Sequence, residues 1–350
     1  MGEETVQYVP FAEHQIQIAF RHFVRPGDTV YDAGANRGWL TKPLADLVGP
    51  GGHVVCFEPS PRNLRDLNQL IRVADLENTT VVEKALFHTS GAEVTLYENP
   101  FSNTDSLYIR DELGTPTTVS TITLDDYFLA NPSAPSFVKS DIEGAEYDML
   151  LGAHRLIERR RPVILLETRQ SDPRPFELLR SQGYRVFNTM TFEAVDSHAA
   201  FAGGKSIEDL AYVPKEHPGT LYGREAQDQA SQAPGLTGTS VWCGVDLSPG
   251  MNCVRIWGAC PEYPYEPLTI QAVLNGRIAV STVDQLILTF NPYYQCVLYA
   301  SDHCQAQLHL SRPEHALSVD RIDIRCIPMT PDEHRLHEGL ARSHPFGLAA

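Results

Sequence analysis

Asp28-Thr29-Val30-Tyr31-Asp32, followed by Ala33-Gly34-Ala35-Asn36-Arg37-Gly38, is a short apolar run that breaks into a glycine turn. The run reads as a buried β-strand, and Trp39 to Leu47 beyond the turn reads as a helix. Gly49-Pro50-Gly51-Gly52 stops that helix, and His53-Val54-Val55-Cys56-Phe57-Glu58 is a second strand. Strand, turn, helix and apolar strand in that order form a βαβ unit, the building block of an α/β domain.

The pattern continues outward from this core. Pro59-Ser60-Pro61 opens a second helix, with Ser60 suited to cap it and Pro61 to its first turn. Leu64, Leu67, Leu70, Ile71 and Ala74 recur at helical spacing and give it one apolar face. Thr80 to Glu83 reads as a third strand, and Glu93 to Glu98 alternates as part of a hairpin. Ser136 to Asp141 is a fourth core strand, running into a helix that carries Met149, Leu150 and Leu151. Pro162 to Glu167 is a fifth strand, with the continuous apolar run of a strand covered on both faces. A helix at Phe176 to Leu179 and a strand at Tyr184 to Phe187 follow.

The texture changes after about residue 195. Residues 198–238 are rich in Gly, Pro, Ala and polar side chains and read as a linker. Residues 239–330 carry short β-prone segments and the turn signal Asn275-Gly276, which predict a small antiparallel β domain. Residues 1–26 read as an N-terminal extension and 331–350 as a tail.

Bulk charge narrows the partners. The formal net charge of -16 repels phosphate backbones and anionic lipid surfaces, which excludes nucleic acid and membrane insertion as first expectations. No apolar leader or long uncharged run is present, and the seven cysteines include no CxxC pair. An odd cysteine count without a leader predicts reduced thiols in the cytoplasm. A small-molecule acceptor is therefore the expected partner, with oligomerisation left open.

The glycine turn is the first candidate site. Such a turn brings backbone N–H groups and a helix N-terminus against a ligand, and Gly34 and Gly38 allow close approach. The dinucleotide fingerprint G-x-G-x-x-G fits in no frame, because the glycines stand four apart. Glu58, ending the second strand, is placed to accept hydrogen bonds from both hydroxyls of a ribose.

VYDAGANRGWL, VVCFEPSP, FVKSDIEGAEYDMLLGA and PVILLE together resemble the FkbM family of methyltransferases, with K-x-D-x-E-G-A-E as the most specific element. The resemblance runs from about Asp28 to Phe187. It implies a doubly wound, Rossmann-like class I methyltransferase domain over residues 27–197, S-adenosylmethionine as cofactor and O-methylation, often of a sugar or natural product. Carried over by motif, it places Asp32, Gly34, Ala35, Asn36 and Gly38 around the methionine part of the cofactor. Glu58, Pro59 and Ser60 fall at the ribose, Ala85 and Leu86 near adenine, and Asp141 at the methyl-transfer end. Ser140 stands where the family pattern has an apolar residue.

Chemistry is expected at the carboxyl ends of the strands, where open α/β sheets bind ligands. Asp141 and Glu143 follow the fourth strand and Glu167 ends the fifth. Asp141 is the leading candidate to take the acceptor proton. Lys139 acts as a base only with a strongly lowered pKa, the alternative being an ion pair with a neighbouring acid. Glu143 and Glu146 flank a helix start, where acids also serve as caps. A divalent metal held by Asp141 and Glu167 is a less favoured alternative to direct proton removal. A nicotinamide-dependent oxidoreductase on a similar fold and a non-catalytic binding or scaffolding protein are the competing functional classes. A polar loop at Ser102 to Ser106 and the aromatics Tyr263, Tyr265, Tyr293 and Tyr294 are weaker candidates for substrate contact.

Overall fold

The computed structural model describes residues 6–9, 13–98, 105–108, 114–131, 133–189, 193–198, 207–217, 227–228, 235–257, 268–274, 277–284, 293–300, 302–311, 317–331 and 334. They form two compact units. One holds residues 16–189 and 193–220, and the other holds residues 1–15, 190–192 and 221–350.

Strand β1 (Val6–Val9) belongs to the second unit. The first unit opens with helix α1 (Glu13–Phe23), most of which belongs to it. Then come β2 (Thr29–Ala33), α2 (Thr41–Val48), β3 (His53–Phe57), α3 (Pro61–Val73) and β4 (Thr79–Val82). A small sheet follows, of β5 (Ala85–Leu86), β6 (Glu93–Glu98) and β7 (Thr115–Ile122), and then α4 (Leu124–Ala130). The domain closes with β8 (Phe137–Ser140), α5 (Glu146–Leu151), α6 (His154–Arg160), β9 (Val163–Arg169), α7 (Arg174–Ser181), β10 (Tyr184–Asn188) and β11 (Ile207–Pro214).

The main sheet has seven strands in the order β10-β11-β9-β8-β2-β3-β4. Its strands are parallel from β4 through β9, and β11 runs antiparallel between β9 and β10. From β2 the chain runs outward through β3 to β4 on one side and later through β8 to β9 on the other, so its direction changes between β2 and β8. That switch point opens a crevice at the carboxyl ends of β2, β3 and β8.

The apolar runs account for these strands. Every residue of β8 is buried, and so are four of the five in β2 and in β3. Tyr31, Phe57 and Tyr127 pack edge to face, with ring centroids 5.1 to 5.6 Å apart. That geometry suits the quadrupoles of aromatic rings. α3 begins as its sequence directs: the Ser60 hydroxyl accepts from the Asn63 N–H, and Pro61 occupies the first turn.

Two sequence expectations change. The segment taken as an extension contributes α1, whose Phe20 meets Phe137 of β8 at 5.6 Å. The segment taken as a linker contains β11, a strand bonded on both sides within the sheet. Leu210-Ala211-Tyr212-Val213 is fully buried, but it is only four residues long. Its polar, Gly- and Pro-rich neighbours hide it from a window-based reading.

The second unit is antiparallel, as the β-prone segments predict. It adds β12 (Gln227–Asp228), β13 (Leu236–Gly238), β14 (Ser240–Leu247), β15 (Gly250–Trp257), β16 (Leu268–Leu274) and β17 (Arg277–Asp284). The remaining strands are β18 (Tyr293–Ala300), β19 (Cys304–Ser311), β20 (Leu317–Val319) and β21 (Arg321–Ile327). One sheet runs β1-β18-β15-β21-β12 and another β14-β19-β16-β17, while β13 pairs with β20. Val241, Val245, Leu308 and Leu310 of the second sheet share one core with Val254, Ile256, Leu298 and Ile324 of the first. Leu274 pairs with Arg277, on either side of Asn275 and Gly276 in the sequence. Those two residues, Ser102 to Thr104, Tyr263 and Tyr265 lie outside the described residues, as do the side chains of Tyr293 and Tyr294.

A chain ended after residue 200 loses β11 and leaves the facing edges of β9 and β10 without partners. Buried unpaired backbone groups are costly. Such a chain is expected to lose its cooperative thermal transition and its near-ultraviolet circular dichroism. A native-like melt would show that β11 is dispensable.

Candidate active site

The crevice is built from two turns pressed together. The first follows β2. Gly34 has φ +74°, and a Cβ placed on it would lie 2.0 Å from the carbonyl oxygen of Asp141 in the second turn. Only glycine tolerates both the conformation and the contact. Asn36 also takes a positive φ, +51°, and points its N–H at β3. That N–H donates to Glu58 Oε2 at 2.8 Å, while the Ser60 N–H donates to Glu58 Oε1 at 2.8 Å. The Asn63 amide reaches Glu58 Oε1 at 3.5 Å. Glu58 is buried, and burial raises its pKa to about 7 against the opposing pull of these donors.

The second turn follows β8. Lys139 is buried, 3.5 Å from Asp32 Oδ1, and donates to Gly34 O at 2.9 Å. Burial alone lowers its pKa, but Asp32, Asp141 and Asp209 outweigh it, and the net direction is upward. Lys139 is therefore a held cation that ties the two turns together, and the expectation of a lysine base is corrected. Asp32 is turned away from the crevice: its Oδ2 accepts from the Thr41 hydroxyl at 2.7 Å. Beyond Asp141 the backbone takes two positive φ values, +58° at Glu143 and +105° at Gly144. The buried Glu146 carboxylate secures this bend by accepting the N–H groups of Ile142 at 3.1 Å and Gly144 at 3.2 Å. The K-x-D-x-E-G-A-E stretch thus divides into residues that hold the turn, Lys139, Gly144 and Glu146, and residues that face the crevice, Asp141 and Glu143.

Carboxylate oxygens of Asp141, Glu143 and Glu167 all lie within 4.8 Å of one another. The Arg169 guanidinium sits 2.9 Å from Glu143 and 2.5 Å from Glu167. Burial, helped by Asp141 and Glu143, pushes the Glu167 carboxyl up to about 10 despite Arg169. Asp141 Oδ1 is buried and makes no hydrogen bond among the described residues.

A pocket of about 530 Å³, counted out to its open mouth, joins these parts. Gly34, Asn36, Glu58, Pro59, Ala85, Leu86, Asp141 and Glu143 line it, as the sequence suggests. Asp32, Ala35, Gly38 and Ser60 are not in its lining. Gly38 instead packs on α3, where a Cβ would fall 2.6 Å from Leu70, and Ser60 caps that helix. Sequence reading missed Asn63, Lys84, Leu96 and Leu107 in the lining, and offered Asp105 only as part of the polar loop at Ser102 to Ser106. Asp105 accepts from Arg62 Nη2 at 2.8 and 3.0 Å and from the Asn63 amide at 3.1 Å. The next residue's hydroxyl, Ser106 Oγ, donates to Glu143 O at 2.7 Å. This short segment therefore bridges the start of α3 and the second turn, a relation that no local sequence signal reveals. Three histidines lie elsewhere: His53 bonds Thr80, His88 bonds Asp148, and neither these nor His154 lines the pocket.

The methyltransferase FkbM domain profile matches residues 32–186, the span from the acid before the first turn to β10. Residues 32–186 are a methyltransferase FkbM domain. Among solved structures, methyltransferase FkbM from Methylobacillus flagellatus KT is 18% identical, with 57% of this chain and 50% of that chain covered and a TM-score of 0.37. The precorrin-6y C5,15-methyltransferase of Geobacter metallireducens GS-15 is 15% identical, covering 58% and 88%, with a TM-score of 0.36. The S-adenosylmethionine-dependent O-methyltransferase of Thermotoga maritima is 12% identical, covering 61% and 69%, with a TM-score of 0.35. No curated protein sequence matches the chain.

The FkbM domain is S-adenosylmethionine-dependent, and the pocket's donor set fits that cofactor. Glu58 would offer carboxylate oxygens to a ribose diol, and the apolar lining of Phe57, Leu86, Leu96 and Leu107 would suit an adenine ring. The unbonded Asp141 Oδ1 suits the positively charged methionine end.

Gly34→Ala tests the contact between the turns. It forces a Cβ against the Asp141 carbonyl and a strained φ, and is expected to destabilise the domain by about 2–4 kcal/mol. Thermal unfolding reads this directly, and an unchanged melting temperature would show that the turns do not touch.

Proposed function

We propose that the protein transfers a methyl group from S-adenosylmethionine to a hydroxyl of a small molecule such as a sugar or a natural product. The observation that carries this reading is the state of the three strand-end carboxylates. Glu143 and Glu167 are engaged by Arg169, whereas Asp141 keeps one buried oxygen unbonded at the pocket wall.

The cofactor supplies a methyl group made electrophilic by its sulfonium. The chain's task is then alignment and proton removal. Asp141 Oδ1, unbonded at the pocket wall, is the group that would take the proton of an acceptor hydroxyl held against it. Glu167 accepts from the Arg169 guanidinium and, beside Asp141, helps shape the wall against which an acceptor would lie. Glu143 keeps Arg169 in place, so the guanidinium offsets the negative charge of the cluster. Lys139, Gly144 and Glu146 position Asp141 and are not themselves reactants.

A divalent cation is the second reading, since three carboxylates now converge where the sequence offered two. Such an ion would have to displace Arg169 from Glu143 and Glu167, which favours direct proton transfer. Among the described residues Cys56, Cys243, Cys304 and Cys326 are free thiols. Among the described residues no helix is long and apolar enough to cross a membrane.

Two measurements test the reading. Asp141→Asn is expected to cut turnover by at least roughly a hundredfold, the scale of a lost general base, with cofactor affinity kept within a few-fold. Unchanged turnover would remove Asp141 from the chemistry. Activity is expected to survive complete chelation by EDTA, and activity restored only by Mg²⁺ would make Asp141 a metal ligand instead.

A further inference from the structure

The second unit presents an outer sheet face of unusual chemistry. Burial alternates strictly along β14: Val241, Cys243, Val245 and Leu247 enter the core. Trp242, Gly244 and Asp246 therefore stand on the opposite face. β19 alternates in step, with Ala306, Leu308 and Leu310 inward. Pairing sets Trp242 opposite His309, Gly244 opposite Gln307 and Asp246 opposite Gln305.

Trp242 is 52% exposed, the only large apolar side chain that the described part of this unit leaves so open. One face of its indole stacks on His309, with centroids 4.3 Å apart and planes 15° from parallel. His309 Nε2 lies 2.7 Å from the Ser240 hydroxyl, which fixes the imidazole. The indole is thus oriented before any ligand arrives, which lowers the entropy cost of using it. Next along the strand, Gly244 leaves a gap over which the Gln307 amide lies, 3.3 Å from where a Cβ would be. Asp246 and Gln305 form the next rung, about 7 Å further on. The strip is flat. It offers one rigid aromatic plane, then an amide, then a carboxylate.

Each neighbouring ligand class can be weighed against this strip. The outward positions of β14 and β19 hold no lysine or arginine, so a phosphate or other anion finds no counter-charge. A protein partner needs about 800 Å² of interface per side with a clustered apolar centre, and one indole does not supply that. A sugar ring has an apolar C–H face that stacks on an aromatic plane and hydroxyls that both donate and accept. Glutamine does both and aspartate accepts.

We propose that the outer face of β14 and β19 is a carbohydrate-binding site for a neutral glycan, with Trp242 as its stacking platform and Gln307 and Asp246 as its hydroxyl contacts. This site stands independently of the methyl-transfer reading. It gives the β unit a role in retaining a glycan or glycosylated acceptor.

Native gel electrophoresis of the full chain tests this in gels containing hydroxyethylcellulose, xyloglucan, galactomannan or dextran. At least one polysaccharide is expected to retard the wild-type protein, and adding it in solution is expected to shift tryptophan emission. Trp242→Ala is expected to weaken the retarding affinity at least tenfold with an unchanged melting temperature, since the side chain lies outside the core. Gln307→Ala gives a smaller loss and serves as the reporter if Trp242→Ala does not fold. S-adenosylmethionine affinity is expected to be equal in all three proteins, which separates this test from the catalytic reading. Absence of retardation in all four gels, or equal retardation of wild type and both variants, would overturn the proposal.

Discussion

A buried lysine holds the catalytic unit together at its most important point. Lys139 brings an ammonium into the sheet, where it meets Asp32 and the carbonyl oxygens of Ala33 and Gly34. Burying such a charge is costly unless it is paired and hydrogen-bonded, and this one is both. Its partners all belong to β2 and the turn after it, while Lys139 itself belongs to β8. The ion pair therefore fixes the separation of the two turns that frame the pocket. Removing either partner leaves a buried unpaired charge, which typically costs about 3–5 kcal/mol.

The rest of the site depends on that fixed spacing. With the turns locked, the Gly34 backbone can meet the Asp141 carbonyl, and the Asn36 N–H can reach Glu58. Glu146 then gathers the N–H groups of the second turn and sets Asp141 and Glu143 toward the pocket. Backbone strain at Glu143 is kept where the chemistry is proposed to occur, as happens when the surroundings over-determine a turn.

Much of this was legible in the sequence, and the exceptions have physical causes. The apolar runs of β2, β3, β8 and β9 and the capped start of α3 follow from local pattern, because each is buried or capped by its own residues. Glu58 and Asp141 were legible because both end a strand at the sheet's ligand-binding edge. Asp32 was misplaced, and Lys139 was left open between a base and an ion pair, for a shared reason: which face of a strand a charged side chain takes depends on its partner across the sheet. Asp105 was legible only as part of a polar loop, and β11 was missed, because each acquires its role through contacts distant in sequence, with Arg62 in one case and with β9 and β10 in the other.

Proton release on cofactor binding is the most direct measurement of the pocket's proposed use. With its pKa raised to about 7, Glu58 is mostly protonated in the free protein below that pH. Ribose hydroxyls donate to the carboxylate and so favour the charged form. Calorimetric titration with S-adenosylmethionine at pH 6.5, in buffers of different ionisation enthalpy, is expected to show release of roughly half to one proton. Glu58→Gln is expected to abolish that release and to weaken binding roughly ten- to a hundredfold. Tight binding with the same proton balance in wild type and Glu58→Gln would contradict the assignment of this pocket to the cofactor's ribose.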